Sequence, residues 1–214
     1  MYETILFDLD GTLTDPGLGI TNSVAYALKK RNIEVKDRSE LYKYIGPPLI
    51  ESFEKFCGFS HEDAVISLKY YREYFAEKGL FENEVYDGVV DMLKSLKKQG
   101  KQLIVATSKP EVYAKKILEH FDLYKYFDFL AGASFDETRV KKNDVIEYAL
   151  KNCGIEDLSK VVMIGDREHD VLGSACFGID SIGVLWGYGS REELDAAGAT
   201  YIAEKVEDIH KIIK

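Results

Sequence analysis

Apolar positions fall into short runs separated by longer amphipathic stretches. The runs at 4–9, 102–107, 127–131, 161–164 and 181–185 are rich in β-branched and large apolar side chains and too short for helices, which predicts strands. The stretches between them repeat apolar residues at helical spacing. Residues 87–99 carry Val89, Val90, Leu93 and Leu96 on one stripe and stop at Gly100, a residue suited to ending a helix. By the same logic 143–152 and 170–177 are helices ending before Gly154 and Gly178, and another begins near Pro110. Strands alternating with helices imply an α/β protein built on a parallel sheet.

Residues 15–85 break that alternation. They hold amphipathic stretches at 20–31, 39–45, 48–57 and 61–78 and no convincing strand. The pattern therefore predicts a Rossmann-like, doubly wound parallel core formed by 1–14 and 86–214. A small helical domain, 15–85, is inserted after the first strand. No internal repeat, low-complexity tract or Gly/Ser linker interrupts either part.

The composition narrows the classes of function. The 214 residues carry 28 Lys+Arg against 37 Asp+Glu, a net charge of −9, which argues against nucleic acid and anionic membranes as partners because both need a basic face. No apolar run approaches the ~18 residues of a membrane span, and the acids at Asp8 and Asp10 interrupt the first apolar run in a way no signal peptide tolerates. The cysteines, Cys57, Cys153 and Cys176, are odd in number and widely spaced, which fits a reducing, cytoplasmic setting.

Chemistry concentrates where strands end. Three apolar runs stop in polar residues, at Asp8-Leu9-Asp10-Gly11-Thr12, at Thr107-Ser108-Lys109 and at Gly165-Asp166. Ligands of open α/β sheets bind beyond the carboxyl ends of strands, so the three clusters should share one rim. Asp8 and Asp10 are two apart, and extended backbone points both to the same side; the alternative is that one caps the following turn. Like charges ~4 Å apart repel by roughly 4 kcal/mol at an effective dielectric of 20, so such a cluster calls for a cation. A few carboxylates with no softer ligand suit Mg²⁺. Asp166 and Asp170 are spaced to stack on one helical face, though Asp170 could instead simply offset a helix dipole. Thr107 and Ser108 precede a helix N-terminus, a ready phosphate site. Lys109, Lys141 and Lys142 are the candidate cations for a dianionic substrate.

These residues, in this order, resemble the motifs of the haloacid dehalogenase superfamily. Asp8-Leu9-Asp10-Gly11-Thr12 is similar to its first motif, Thr107-Ser108 to the second, the Lys141-Lys142 pair to the third and Gly165 to Asp170 to the fourth. The layout, with Tyr86-Asp87-Gly88-Val89 following the insert, resembles the phosphoglycolate phosphatase-like group, whose insert is a helical cap of the first type. The prolines that relatives often carry at the third motif are absent, so either lysine could be the motif residue, with Lys142 favoured.

The resemblance implies a Mg²⁺-dependent phosphatase acting on a small phosphorylated metabolite through an aspartyl-phosphate. Asp8 would be the nucleophile and Asp10 the general acid and base. Thr107 and Lys142 would stabilise the transferring phosphoryl group, and Gly11, Thr12, Ser108 and Gly46 would contact substrate. Asp8, Asp10, Asp166 and Asp170 would hold the metal. Selectivity would reside in the cap, around Tyr42, Tyr44, Gly46, Pro47, Pro48 and Tyr70-Tyr71-Arg72. A sugar phosphomutase or a non-catalytic regulatory protein on the same fold are the alternatives. The protein is expected to be a monomer or weak homodimer.

Overall fold

The computed structural model describes residues 1–136 and 138–213. The chain divides into two compact units, one of Met1–Thr14 with the chain from Val85 onward, the other Asp15–Glu84. The first unit is built on a parallel sheet. Its strands are β1 (Thr4–Phe7), β4 (Gln102–Pro110), β5 (Phe129–Ala133), β6 (Val161–Gly165), β7 (Asp180–Val184) and β8 (Tyr201–Ala203). Between the first two of these in sequence come two-residue strands, β2 (Thr14–Asp15) and β3 (Glu84–Val85), which pair with each other where the chain passes from one unit to the other.

The strand order is β5-β4-β1-β6-β7-β8, every neighbouring pair parallel. After β1 the chain builds outward on one side through β4 and β5, then returns to build outward on the other through β6, β7 and β8. The order therefore reverses at β1, and the carboxyl ends of β4, β1 and β6 flank that switch point. The central strands are buried on both faces, which is why they read as continuous apolar runs rather than alternating ones. Alternate residues, Leu6, Ile104 and Met163, point to one face. There they pack with Val145, Ile146 and Ala149 of the helix α6 (Lys142–Asn152).

The helices of this unit are α4 (Val89–Lys98), α5 (Glu111–His120), α6, α7 (Glu168–Ala175), α8 (Arg191–Ala197) and the short α9 (Ile209–Ile212). They follow α1 (Gly17–Lys30), α2 (Leu49–Cys57) and α3 (His61–Tyr74) of the second unit. That unit packs α1 against α3, and α3 continues into a single π-helical turn, Phe75–Gly79. Its predicted helix at 39–45 is a 3₁₀ segment, Arg38–Tyr44, opened by Asp37, whose side chain accepts from the Ser39 amide. Ser60 caps α3 by accepting from the Asp63 amide.

The strands also differ from the sequence pattern, the run at 127–131 forming its strand at Phe129–Ala133. β8 was not predicted, because Tyr201–Ala203 is too short to form a recognisable run. β2 and β3 place short strand pairing at the ends of a segment read as purely helical.

Candidate functional site

The site is assembled by the loops that follow β1, β4 and β6. β1 ends at Phe7, the Asp8 amide still donates to the Ile164 carbonyl of β6 at 2.9 Å, and the chain then turns, with the Leu13 and Thr14 amides donating back to the Leu9 carbonyl. Gly11 makes this turn possible at φ +79°, and a Cβ there would fall on the Asp166 carboxylate. In β4 the pairing with β5 shifts register between Ala106 and Pro110, so Thr107-Ser108-Lys109 lie in an irregular stretch of the ladder. Gly165 ends β6, and a Cβ on it would strike the Asp170 side chain.

Lys142 is the hub. Its side chain is 4% exposed, and its ammonium lies 3.0 Å from Asp8 Oδ1 and 2.7 Å from Asp170 Oδ1. It also donates to the Ala106 carbonyl at 3.0 Å. Burial alone would discharge this lysine; the carboxylates of Asp170 and Asp8 outweigh it and hold the ammonium above its ordinary value. Lys141, one residue earlier, is exposed at the N-terminus of α6.

A second buried pair stands beside the first. Lys109 Nζ donates to Asp10 Oδ2 at 2.6 Å, with 5% of the lysine side chain exposed. Burial pushes the Asp10 carboxyl above the usual carboxylate range, against the pull of Lys109. Lysines at such positions would ordinarily be solvated. Here both Lys109 and Lys142 are drawn inside by acids.

Asp166 and Asp170 complete the cluster. Each is 1% exposed, and ligand oxygens of Asp8, Asp166 and Asp170 lie within 4.8 Å of one another. Helix α7 begins at Glu168, so Asp166 is not on its face as the spacing predicts. It sits in the strand-to-helix loop. Asp170 meets it by folding back to accept from the Arg167 amide at 3.1 Å, a capping interaction. Asp166 Oδ2 accepts from the Tyr188 amide at 2.8 Å, while Oδ1 is buried with no hydrogen-bond partner. Burial, then the charges of Asp170 and Asp8, hold Asp166 well above its ordinary value. Burial likewise pushes Asp170 up to about 6, with Lys142 opposing.

The donor set fits a hard divalent cation. It is all oxygen, Asp166 keeps a buried oxygen unused, and the four acids against two ammoniums leave a formal −2.

Of the other predicted residues, Thr107 is buried and its hydroxyl oxygen accepts from the Lys109 amide at 3.2 Å, while Ser108 is half-buried beside it. Gly11 and Thr12 line the turn after β1, and the Thr12 hydroxyl is buried without a partner. Gly46 lies in the second unit at φ +101°, between the 3₁₀ segment and Pro47-Pro48. The 186–190 segment packs closely against these loops, and this is the main feature the sequence left open. Trp186 Nε1 donates to the Thr12 carbonyl at 3.0 Å, and Cβ atoms on Gly187 or Gly189 would collide with Gly11 or Asp166. Two glycines spaced by one residue just after a strand were the available signal.

A family model described as haloacid dehalogenase-like hydrolase matches residues 5–184. A 5'-nucleotidase of Pseudomonas aeruginosa is 41% identical over 213 residues, spanning all of this chain and 96% of that one. The tyrosine-protein kinase PtkA of Mycobacterium tuberculosis is 38% identical over 94% of this chain and 68% of its own. The crystal structure of a predicted phosphatase from Clostridium acetobutylicum superposes with a TM-score of 0.96 at 51% identity, covering 100% of this chain and 98% of that one. Among the described residues, no helix is long and apolar enough to cross a membrane. With the model spanning most of the sheet and the relatives spanning nearly the whole sequence, the chain belongs to the haloacid dehalogenase-like hydrolase family.

Proposed function

We propose that this protein is a Mg²⁺-dependent phosphatase that hydrolyses a small phosphomonoester through an aspartyl-phosphate on Asp8. The observation that carries the reading is the division of labour between two buried lysine–aspartate pairs. Lys142 fixes Asp8, and Lys109 fixes Asp10. Both donors to the Asp8 carboxylate, Lys142 and the Leu9 amide at 2.8 Å, fall on Oδ1. That leaves Oδ2 to attack phosphorus, with the lysine charge beside the transferring oxygens. Asp10, with its raised proton affinity, suits a group that must give a proton to the leaving oxygen and then take one from water. Asp8, Asp166, Asp170 and the Asp10 carbonyl are the groups that would hold Mg²⁺. When bound, it would offset their charge and polarise phosphoryl oxygens. Thr107 and the Ser108 amide would take the remaining phosphoryl oxygens, and the 15–85 domain, with Gly46, would act as the cap that selects substrate.

The relatives' names, a nucleotidase and a protein kinase, share displacement at phosphorus and differ in the group attached to it. The protein is taken to act as a cytoplasmic monomer or weak dimer on a free metabolite.

The test is a phosphate-release screen over nucleoside monophosphates, sugar phosphates, phosphoglycolate and pyrophosphate with Mg²⁺ present, run beside Asp8→Asn. The amide is nearly isosteric but a poor nucleophile, so the variant should fold and lose activity by about 10³-fold or more. Folded Asp8→Asn retaining several per cent of turnover would remove the covalent step. Faster conversion of a hexose 1-phosphate to its 6-phosphate than to free phosphate would make the enzyme a mutase.

A further inference from the structure

The segment after β7 does something the motifs do not account for. In the sheet, β6 lies between β1 and β7, so the ends of β7 and β1 are two strand spacings apart, about 10 Å. Yet Trp186, two residues past the end of β7, reaches across β6 and donates its indole N–H to the carbonyl of Thr12, in the turn that follows β1. Two residues later the Tyr188 amide takes Asp166 Oδ2. Gly187 and Gly189 have no side chains to spare: a Cβ on the first would fall on the Gly11 carbonyl and Asp166, and on the second on the Asp166 carbonyl. The segment thus lies directly over Asp166 and is tied at both ends to the loops it bridges.

We propose that residues 186–189 form a clasp that fixes the spacing of Asp166 from the 10–12 turn and leaves Asp166 Oδ1 as the oxygen offered to the metal, with Trp186 as the positioning residue. The inference deepens the metal-site reading above and rests on it. A carboxylate at the end of a strand can rotate about two bonds. The Tyr188 amide removes that freedom by engaging Oδ2, and Oδ1 stays buried and unpartnered. The Tyr188 amide is held in place only if the strand-end segment is itself anchored. The indole supplies that anchor because it is a donor with no acceptor role, on a rigid ring with few torsions to freeze. Partners that orient a ligand without touching the ion commonly change metal affinity 10–100-fold when lost.

Trp186→Phe retains the ring and removes the donor. The Mg²⁺ dissociation constant of this variant, measured by calorimetry on the substrate-free protein, should rise about tenfold or more. The melting temperature without Mg²⁺ should stay near that of wild type. With p-nitrophenyl phosphate as probe, raising Mg²⁺ should restore kcat, a rescue that a general loss of structure would not allow. Unchanged Mg²⁺ affinity in Trp186→Phe, with wild type binding normally, overturns the clasp and leaves the metal reading standing. Wild-type protein that neither binds Mg²⁺ nor is activated by it overturns both. Should the variant not fold, wild-type protein labelled with 5-fluorotryptophan gives a single ¹⁹F resonance, since the chain has 1 tryptophan. That resonance should move on Mg²⁺ titration and saturate with the calorimetric constant; a resonance that stays fixed while calorimetry registers binding overturns the clasp.

Discussion

Lys142 carries a charge into a place that water does not reach, and it does so because three acceptors are waiting there: Asp8, Asp170 and the Ala106 carbonyl. Removing one member of a buried ion pair costs about 3–5 kcal/mol, since the partner charge stays behind unpaired. Lys142→Ala strands two carboxylates at once. It should therefore lower stability by several kcal/mol on that scale and, on the mechanism proposed above, also lower turnover, because the lysine charge would be missing beside the transferring oxygens. Lys141→Ala removes an exposed side chain, and changes of that kind usually lie within about 0.5 kcal/mol. Urea titration and steady-state kinetics on the two single variants check this. If Lys141→Ala were the more damaging, the buried ammonium would not be the one that matters. The adjacent residues show what the sequence could and could not convey. Two consecutive lysines before a helix are chemically identical on paper. Only the start of α6 at Lys142, with Lys141 as its flanking residue, decides that one faces the sheet and the other faces water.

At the scale of elements, the core strands were legible because burial on both faces leaves an unbroken apolar signature, as in the TILF of β1 and the VVMIG of β6. The convergence of strand ends on one rim was legible for the same reason, since topology follows from alternating strands and helices. What pattern cannot convey is close approach. Gly165 reads as an ordinary strand terminus, yet it is the surface against which Asp170 lies. Gly165→Ala would wedge α7 away from β6, and overpacking of this kind costs about 1–3 kcal/mol. Gly100, two residues past the end of α4, offers a matched control. It sits at φ +75° with open space where a Cβ would go, so Gly100→Ala should cost about 1–2 kcal/mol from backbone strain alone. The two variants should lose comparable stability in chemical denaturation, but only Gly165→Ala should weaken Mg²⁺ activation of phosphate release. Equal activity in both would mean that the spacing of Asp166 and Asp170 is slack. Lys109 is the other lesson at this scale. It was one of three candidate cations, and its pairing with Asp10 depends on the irregular register of β4 and β5, which no single-strand pattern encodes.

For the molecule as a whole, folding without metal gathers four acids and two ammoniums into a largely buried site of formal charge −2, within a chain already at −9. Asp170 is raised to about 6, and Asp10 and Asp166 are raised as well. Groups whose proton affinity is higher in the folded state stabilise it fully below the unfolded value, ~4 for a carboxylate. They lose that contribution as pH rises through the folded value. Metal-free protein should thus spend stability between pH ~4 and the region above about 6, the value reached by Asp170. Mg²⁺ bound to these carboxylates would compete with those protons, so its benefit should grow over the same window. A ligand at 100 times its dissociation constant adds about 2.7 kcal/mol, and for a chain of this size that is a rise of roughly 5–10 °C in melting temperature. The expected result is a Mg²⁺-induced rise of that order near pH ~8, shrinking toward nothing near pH ~5, as measured by scanning calorimetry. Asp166→Asn supplies the internal control. Its amide oxygen can still accept from Tyr188 while the carboxylate raised by Asp170 and Asp8 is gone. That variant should melt higher than wild type without Mg²⁺ and show no Mg²⁺ shift at any pH. A Mg²⁺ shift equal at both pH values, or retained by Asp166→Asn, would mean that these carboxylates are not what the cation binds.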